Sequence, residues 1–466
     1  MAEKPNIIFI LLDDFGWKDL SCYGSDFYET PNLDLLAADS MRFTDAYAAC
    51  PVCSPTRASI LSGKYPARLG LTNYIAANNP GHRDRARLVD APYIPYLPLE
   101  EKSLASALRD NGYTTWHVGK WHAGDAPCSP QNHGFDVNVA GCSRGHPPKG
   151  YFSPWDLPEL ENGPEGEYLT DRLTDEAIEL IRGNAEKPFF LNLWYYTVHT
   201  PIQGKEELVR KYEHKARSMG LDKVKTFEEG EVHPKSTDAR WRIRRRLVQS
   251  DPEYAAMIEC MDTNVGRLLK AVEEKGELDN TIIIFTSDNG GLATTEGSPT
   301  CNAPLSEGKG WMYEGGTREP LLIRWPGVTE PNSVCRVPVT STDFYPTVLE
   351  MVGADARPEQ HCDGVSLVPL LKGEGDLERE DIFWHYPHYG NQGGTPGSSI
   401  RSGKWKLIEF YEDGRLELYN LQDDIGETHD LAGKRPELVR DLHERLQRWR
   451  EQMEAIAPLP NPDWPW

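Results

Sequence analysis

Residues 6–12 form an unbroken apolar run between Pro5 and Gly16. It is too short for a helix and reads as a strand buried on both faces. Residues 189–194 and 281–286 repeat this pattern, and 41–47, 114–118 and 321–325 read as further strands. Between them the period turns helical, over 99–111 (closed by Gly112), 171–184, 254–275 (closed by Gly276) and 342–352. Thr30-Pro31-Asn32 opens a short helix to Asp39, with Thr30 as its cap. Residues 205–246 are charged and poor in aromatics, which predicts a surface insertion of helices. Its Arg-rich end, Arg240 to Arg246, reads as a solvated helix face. After about Asp376 the pattern changes: strands at 405–410 and 416–421 surround the turn Glu412-Asp413-Gly414, and 436–456 is a closing amphipathic helix. The expected fold class is α/β: a large, mostly parallel mixed sheet flanked by helices. A smaller C-terminal α+β domain follows, a short antiparallel sheet plus the closing helix. The expected division is 1–375 and 376–466.

Bulk properties narrow the partners. The chain has 466 residues, 39% hydrophobic, with mean hydropathy −0.58 and formal charge −22. No apolar run approaches the roughly 20 residues of a membrane span. The acidic balance argues against nucleic acid, which wants a basic face. A local cluster of cations can still receive a small anion. The start, Met1-Ala2-Glu3-Lys4-Pro5, shows no signal peptide. The expectation is cytoplasmic as written, or periplasmic or secreted if a leader has been removed. The nine Cys are scattered and odd in number, so they define no disulfide framework. The sequence assigns no oligomeric state.

Candidate chemistry gathers at the strand ends. Asp13-Asp14 and Asp288-Asn289 follow two apolar strands, where α/β sheets place their ligands. Four oxygen donors favour Ca²⁺ or Mg²⁺ over zinc, and three carboxylates sharing a site need a cation. Pro55, the pair Ile60-Leu61 and Gly63 predict a helix beginning at Cys53. That places Cys53 at the positive end of a helix dipole, with Arg57 one turn on along the same face. Such an end suits an anionic tetrahedral group. Taken alone, Cys53 is a primed thiolate or half of the redox spacing Cys50-Pro51-Val52-Cys53. Lys120 and His122 follow the strand at 114–118, His199 follows that at 189–194, and Lys309 lies in a Gly-rich loop. The segment 128–167, rich in Gly, Pro and aromatics, reads as an ordered loop that could wall a pocket.

Cys53-Ser54-Pro55-Thr56-Arg57, followed by an apolar pair and Gly63, resembles the signature of the type I sulfatases of the alkaline phosphatase superfamily. Gly119-Lys120-Trp121-His122 resembles that family's second signature. Asp13-Asp14, His199, Asp288-Asn289 and Lys309 follow the family's order, and the resemblance runs from Pro5 to about Leu431. One departure is Leu61-Ser62-Gly63 where Leu-Thr-Gly is usual; the hydroxyl is kept. The resemblance implies an alkaline-phosphatase-like catalytic domain and a sulfuric ester hydrolase. It also implies that Cys53 is oxidised to formylglycine by a formylglycine-generating enzyme. Ca²⁺, with Mg²⁺ the lesser candidate, would be held by Asp13, Asp14, residue 53, Asp288 and Asn289. A hydroxyl of the hydrated aldehyde would attack sulfur. Arg57, Lys120, His122, His199 and Lys309 would grip the sulfate and the leaving oxygen. His199 with Lys309 would protonate the departing alcohol, and His122 would remove the proton that expels sulfate.

Stretches such as Asn132-His133-Gly134-Phe135-Asp136 and Trp384-His385-Tyr386-Pro387-His388 resemble bacterial exo-acting polysaccharide and glycosaminoglycan sulfatases. That resemblance points to sulfated galactose or N-acetylgalactosamine, at O4. Candidate sugar contacts are Asn73, Tyr74, Arg144, His146, His385 and His388. One alternative is a phosphonate monoester or phosphodiester hydrolase of the same superfamily. Another is a catalytically dead protein that binds sulfated glycans.

Overall fold

The computed structural model describes residues 4–75, 86–184, 187–236 and 238–464. In chain order they form β1 (Asn6–Leu12), α1 (Pro31–Ala38), β2 (Met41–Tyr47), α2 (Cys53–Ser62), α3 (Pro66–Leu69), β3 (Leu88–Val89), α4 (Leu104–Asp110), β4 (Thr114–Gly119), β5 (Val137–Val139), α5 (Leu169–Gly183) and β6 (Phe189–Trp194). Then come α6 (Glu206–Ser218), β7 (Phe227–Val232), β8 (Arg242–Arg246), α7 (Pro252–Glu274), β9 (Thr281–Ser287), α8 (Glu314–Thr317), β10 (Arg318–Arg324), β11 (Ser333–Cys335), β12 (Val339–Thr340), α9 (Phe344–Met351) and α10 (Val368–Leu371). The C-terminal part holds β13 (Asp381–Tyr386), β14 (Gly397–Ser402), β15 (Trp405–Phe410), β16 (Leu416–Asn420), α11 (Pro436–Gln452) and β17 (Leu459–Pro460).

The large sheet runs β11-β2-β10-β9-β1-β6-β4-β5, with β12 also on β2. Only β10 is antiparallel to its neighbours, β2 and β9. At its centre Leu12 pairs with Ser287, Leu11 with Trp194, and Gly119 also with Trp194. Four adjacent parallel strands, β9, β1, β6 and β4, therefore end at one level and project their next residues to one edge. All of β1, β6 and β9 is buried, because two apolar layers cover the sheet. That explains why these strands read as continuous apolar runs.

The second sheet is the antiparallel meander β13-β14-β15-β16, with α11 packed on β14 and β15. A buried ionic cluster ties it to the large sheet. Glu314 meets Arg318 at 2.6 Å and Lys406 at 2.9 Å, Lys406 meets Glu427 at 3.0 Å, and Asp45 meets Arg318 at 3.1 Å and Arg401 at 2.7 Å.

Four expectations need correction. Among the described residues, the insertion holds one α-helix, α6, then a short 3-10 turn at Leu221–Lys223 and a hairpin. Its Arg-rich end is the strand β8, not a helix face, because the acidic β7 lies beside it with Glu228 opposite Arg245 and Glu229 opposite Arg244. Thr30 does not cap α1; its hydroxyl accepts from the Ser21 N–H at 3.0 Å. The helix expected over 99–111 starts only at Leu104, where Ser103 Oγ accepts from the Ser106 N–H. Strands β13 and β14 were not anticipated. Residues 76–85, which follow the candidate contacts Asn73 and Tyr74, lie outside the described residues. No helix among the described residues is long and apolar enough to cross a membrane.

Candidate active site

Helix α2 is wholly buried and ends at Gly63, whose φ of 69° is the left-handed value a C-terminal glycine supplies. Its first residue, Cys53, sits at the level of the four strand ends. Burial pushes the Cys53 thiol up, against the pull of Lys120 and Lys309. That direction runs against the primed-thiolate reading. Cys50 and Cys53 are both free, and burial raises Cys50 as well, so nothing here supports the redox pair.

Each of the three carboxylates meets its own cation. Lys120 Nζ donates to Asp13 Oδ2, Lys309 Nζ to Asp14 Oδ2 at 2.8 Å, and Arg57 Nε to Asp288 Oδ2 at 2.8 Å. Arg57 is fixed further by Nη1 on the Lys120 carbonyl, at 2.7 Å. Asn289 Nδ2 donates to Asp14 Oδ1 at 2.8 Å. All seven of these side chains are buried. Burial raises Asp13 although Lys120 opposes it. Burial and then Asp13 raise Asp288 to about 6, with Arg57 opposing. Burial acts the same way on Asp14, but Lys309 and His199 outweigh it and hold that carboxyl at about 2.

Three polar atoms in this cluster have no hydrogen-bond partner: Asp13 Oδ1, Asn289 Oδ1 and Arg57 Nη2. A buried orphan costs about 1–3 kcal/mol. Two of these are acceptor oxygens and one is a charged donor, which is the complement of a cation and an anion side by side. Asp13, Asp14 and His199 bring one ligand atom each within 4.8 Å of one another, and so do Asp13, Cys53 and Asp288. The orphaned oxygens and the hard donor set fit Ca²⁺ or Mg²⁺.

The two histidines have legible tautomers. His122 Nε2 lies 3.2 Å from the Ile75 carbonyl, so it carries the proton, and Nδ1 faces Cys53 Sγ at 3.2 Å as an acceptor. Burial, Lys120 and Arg57 push His122 far down and keep it neutral. His199 Nδ1 lies 2.9 Å from the Thr200 carbonyl, which leaves Nε2 to accept from Lys309 Nζ at 3.1 Å. Burial and Lys309 lower His199 to about 3, with Asp14 opposing. Asp14 and His122 both take left-handed backbone conformations, φ 60° and 53°, held by these contacts.

The sugar-contact candidates divide. Asn73 and Tyr74 precede Ile75, which also takes the Ser54 Oγ on its N–H at 3.0 Å, so this strand of chain borders Cys53. Asn73 is buried and its Oδ1 accepts from Tyr386 at 3.2 Å. Arg144 and His146 are exposed above the site, and the His146 ring lies parallel to His199 with centroids 6.1 Å apart. His385 is not brought there: it is buried in the second sheet, with Nδ1 on Ser398 and Tyr411 and Nε2 on the Ile456 carbonyl. His388 is also buried, with Nε2 on Thr72 at 2.9 Å. Three contributors escaped the sequence reading. Ser54 lies inside the quoted signature but was given no role, and Ile75 acts through a backbone carbonyl that carries no motif. Gly145 lies between two residues that were noticed; a Cβ there would come within 2.7 Å of His122 Cε1. A cavity of about 630 Å³ opens between the β7–β8 hairpin and the second sheet, lined by Trp311, Tyr313 and Phe410, but no motif residue lines it.

The family model described as Sulfatase matches residues 5–354, and one described as N-sulphoglucosamine sulphohydrolase, C-terminal, matches 307–452. A sulfatase of Formosa agariphila is 34% identical, covering 96% of this chain and 89% of that protein. Arylsulfatase A of Homo sapiens is 30% identical, covering 98% and 90%. Among solved structures, Ps i-CgsB in complex with k-i-k-neocarrahexaose superposes with a TM-score of 0.75 at 29% identity, over 96% of this chain and 93% of that one. With three-quarters of its length matched by one family model, the chain belongs to the sulfatases.

Proposed function

We propose that this sulfatase hydrolyses the sulfate ester of a carbohydrate, with an O-sulfated galactose or N-acetylgalactosamine, at O4, as its substrate. The observation that carries this reading is the trio of orphaned atoms at Asp13, Asn289 and Arg57, two oxygens for a cation and one donor for an anion. The carbohydrate part is supported by Ps i-CgsB, solved with a neocarrahexaose. Cys53 is read as the precursor of formylglycine, made by a formylglycine-generating enzyme. Asp13, Asp14, Asp288, Asn289 and residue 53 are read as the Ca²⁺ set. A division at 375/376 follows the change from one sheet to the other.

When bound, Ca²⁺ offsets the carboxylates and polarises the sulfate, and the hydrated aldehyde at 53 supplies the attacking hydroxyl. The remaining work falls to the side chains. Arg57 Nη2 and Lys120 hold equatorial sulfate oxygens, where charge builds in the transition state. Asp14 keeps Lys309 protonated, overcoming the cost of its burial. His199 and Lys309 share one proton between Nε2 and Nζ and deliver it to the departing alcohol. His122, neutral with Nδ1 open toward residue 53, takes the hydroxyl proton whose removal expels sulfate.

The deciding experiment is a release assay with defined sulfated mono- and disaccharides after co-expression with a maturation enzyme. It is run beside aryl sulfate and aryl phosphonate esters. Sulfate release from a 4-sulfated galactose-type sugar is the expected result. Faster phosphonate cleavage would move the chain to the alternative reading, and no turnover by protein carrying the aldehyde would sink the proposed function.

A further inference from the structure

Lys235 lies half-buried in the loop between β7 and β8. Its Nζ donates to Asn391 Oδ1 at 3.0 Å, and Asn391 Nδ2 donates to the Tyr74 hydroxyl at 2.9 Å. Tyr74 leads directly into Ile75, whose carbonyl faces His122. Lys235 is therefore one asparagine and one tyrosine away from the residues that border Cys53. The Asn391 backbone is held from the other side, its carbonyl 3.0 Å from His233 Nε2.

The charge environment of Lys235 is unlike that of the other inward-facing lysines. Lys120, Lys309 and Lys406 each touch a carboxylate. Among the described residues, no ion pair joins Lys235 to any carboxylate within 4.0 Å; Asp90 and Glu296 act on it only from farther away. Burial lowers its pKa for want of such a contact. A half-buried ammonium whose partner among the described residues is an amide oxygen gains most from an anion that arrives with a ligand. Tyr74 and Asn391 beside it offer the hydroxyl and amide groups that read sugar hydroxyls.

Resting on the carbohydrate reading above, we propose that Lys235, with Asn391 and Tyr74, forms a subsite for a second anionic group of the substrate, either a further sulfate or a uronate carboxylate. The subsite would make the enzyme prefer sugars that carry two negative groups over those that carry one.

The test uses the mature enzyme and matched substrates: mono- and disulfated galactose, N-acetylgalactosamine and glucosamine, and monosulfated disaccharides with and without a uronate. The readout is the ratio of kcat/KM for the two-anion member to that for its one-anion partner. Wild type should favour the two-anion member by about tenfold or more, through KM, the size of one good charge contact. Lys235→Met, which keeps the apolar stem, should abolish the preference, and Lys235→Arg should retain most of it. The disulfated and uronate series decide which anion is read. A wild-type ratio near one, or a ratio that Lys235→Met leaves unchanged, overturns the subsite while leaving the sulfatase reading intact. Cleavage of aryl sulfate without cleavage of any sugar overturns the carbohydrate reading and this proposal with it.

Discussion

Lys309 Nζ and His199 Nε2 stand 3.1 Å apart, and both lean on one carboxylate oxygen, Asp14 Oδ2, at 2.8 and 3.7 Å. The arrangement joins a proton that is hard to remove, on Lys309, to an imidazole that burial keeps neutral.

If this pair protonates the leaving oxygen, its removal must hurt most where the leaving group is poorest. Lys309→Ala and His199→Ala should each lower kcat on a sugar sulfate by about 10²–10⁴, the usual range for general acid catalysis. They should cost far less on 4-nitrophenyl sulfate. The double variant should lose little beyond either single one, since the two share a proton. Equal losses on both substrates would assign the pair to sulfate binding.

Gly145→Ala tests the seat of His122. The added Cβ would lie 2.7 Å from His122 Cε1 and turn the ring away from residue 53. The expected outcome is a fall in kcat with the melting temperature nearly unchanged, because Gly145 lies in a surface loop.

Calcium should stabilise the fold. Binding at 100 times Kd adds about 2.7 kcal/mol, visible as a rise in melting temperature. Asp13→Asn should erase the calcium-dependent rise, and chelation should erase activity. A rise with Ca²⁺ that survives Asp13→Asn would place the ion elsewhere.

His385 and Glu427 belong to the framework. His385→Ala removes a ring with both nitrogens engaged, so it should lower stability and leave KM unaltered. Glu427 is raised from 4.5 to about 7 by burial, against Lys406. Between those pH values the unfolded chain has lost a proton that the folded one keeps, so stability falls as pH rises through the window and levels off above it. Glu427→Gln should flatten that slope in urea titrations at pH 4.5 to 7.5.

The central strands were legible because burial on both faces writes an apolar run, and the charged residues just past them stood out by contrast. Asp13, Asp288, Lys120 and His199 needed only that logic. The hairpin β7–β8 was hidden because its partner strand, not its own period, decides it: RIRRR is a strand only beside FEEGEV. Strands β13 and β14 were missed although β15 and β16 were seen. His385 illustrates the opposite error. A histidine near aromatics looked like a sugar contact, yet Ser398 and Tyr411 engage one of its nitrogens and the Ile456 carbonyl beyond α11 engages the other. Nothing in local sequence distinguishes those two fates.

The one-to-one matching of Asp13, Asp14 and Asp288 with Lys120, Lys309 and Arg57 has a thermodynamic consequence. A site already balanced in charge binds a lone dication or a lone anion more weakly than it binds either one beside the other. Each becomes welcome once the other has arrived, since the newcomer supplies the missing countercharge. Metal and sulfate should therefore act as mutual effectors, each tightening the binding of the other by the same factor.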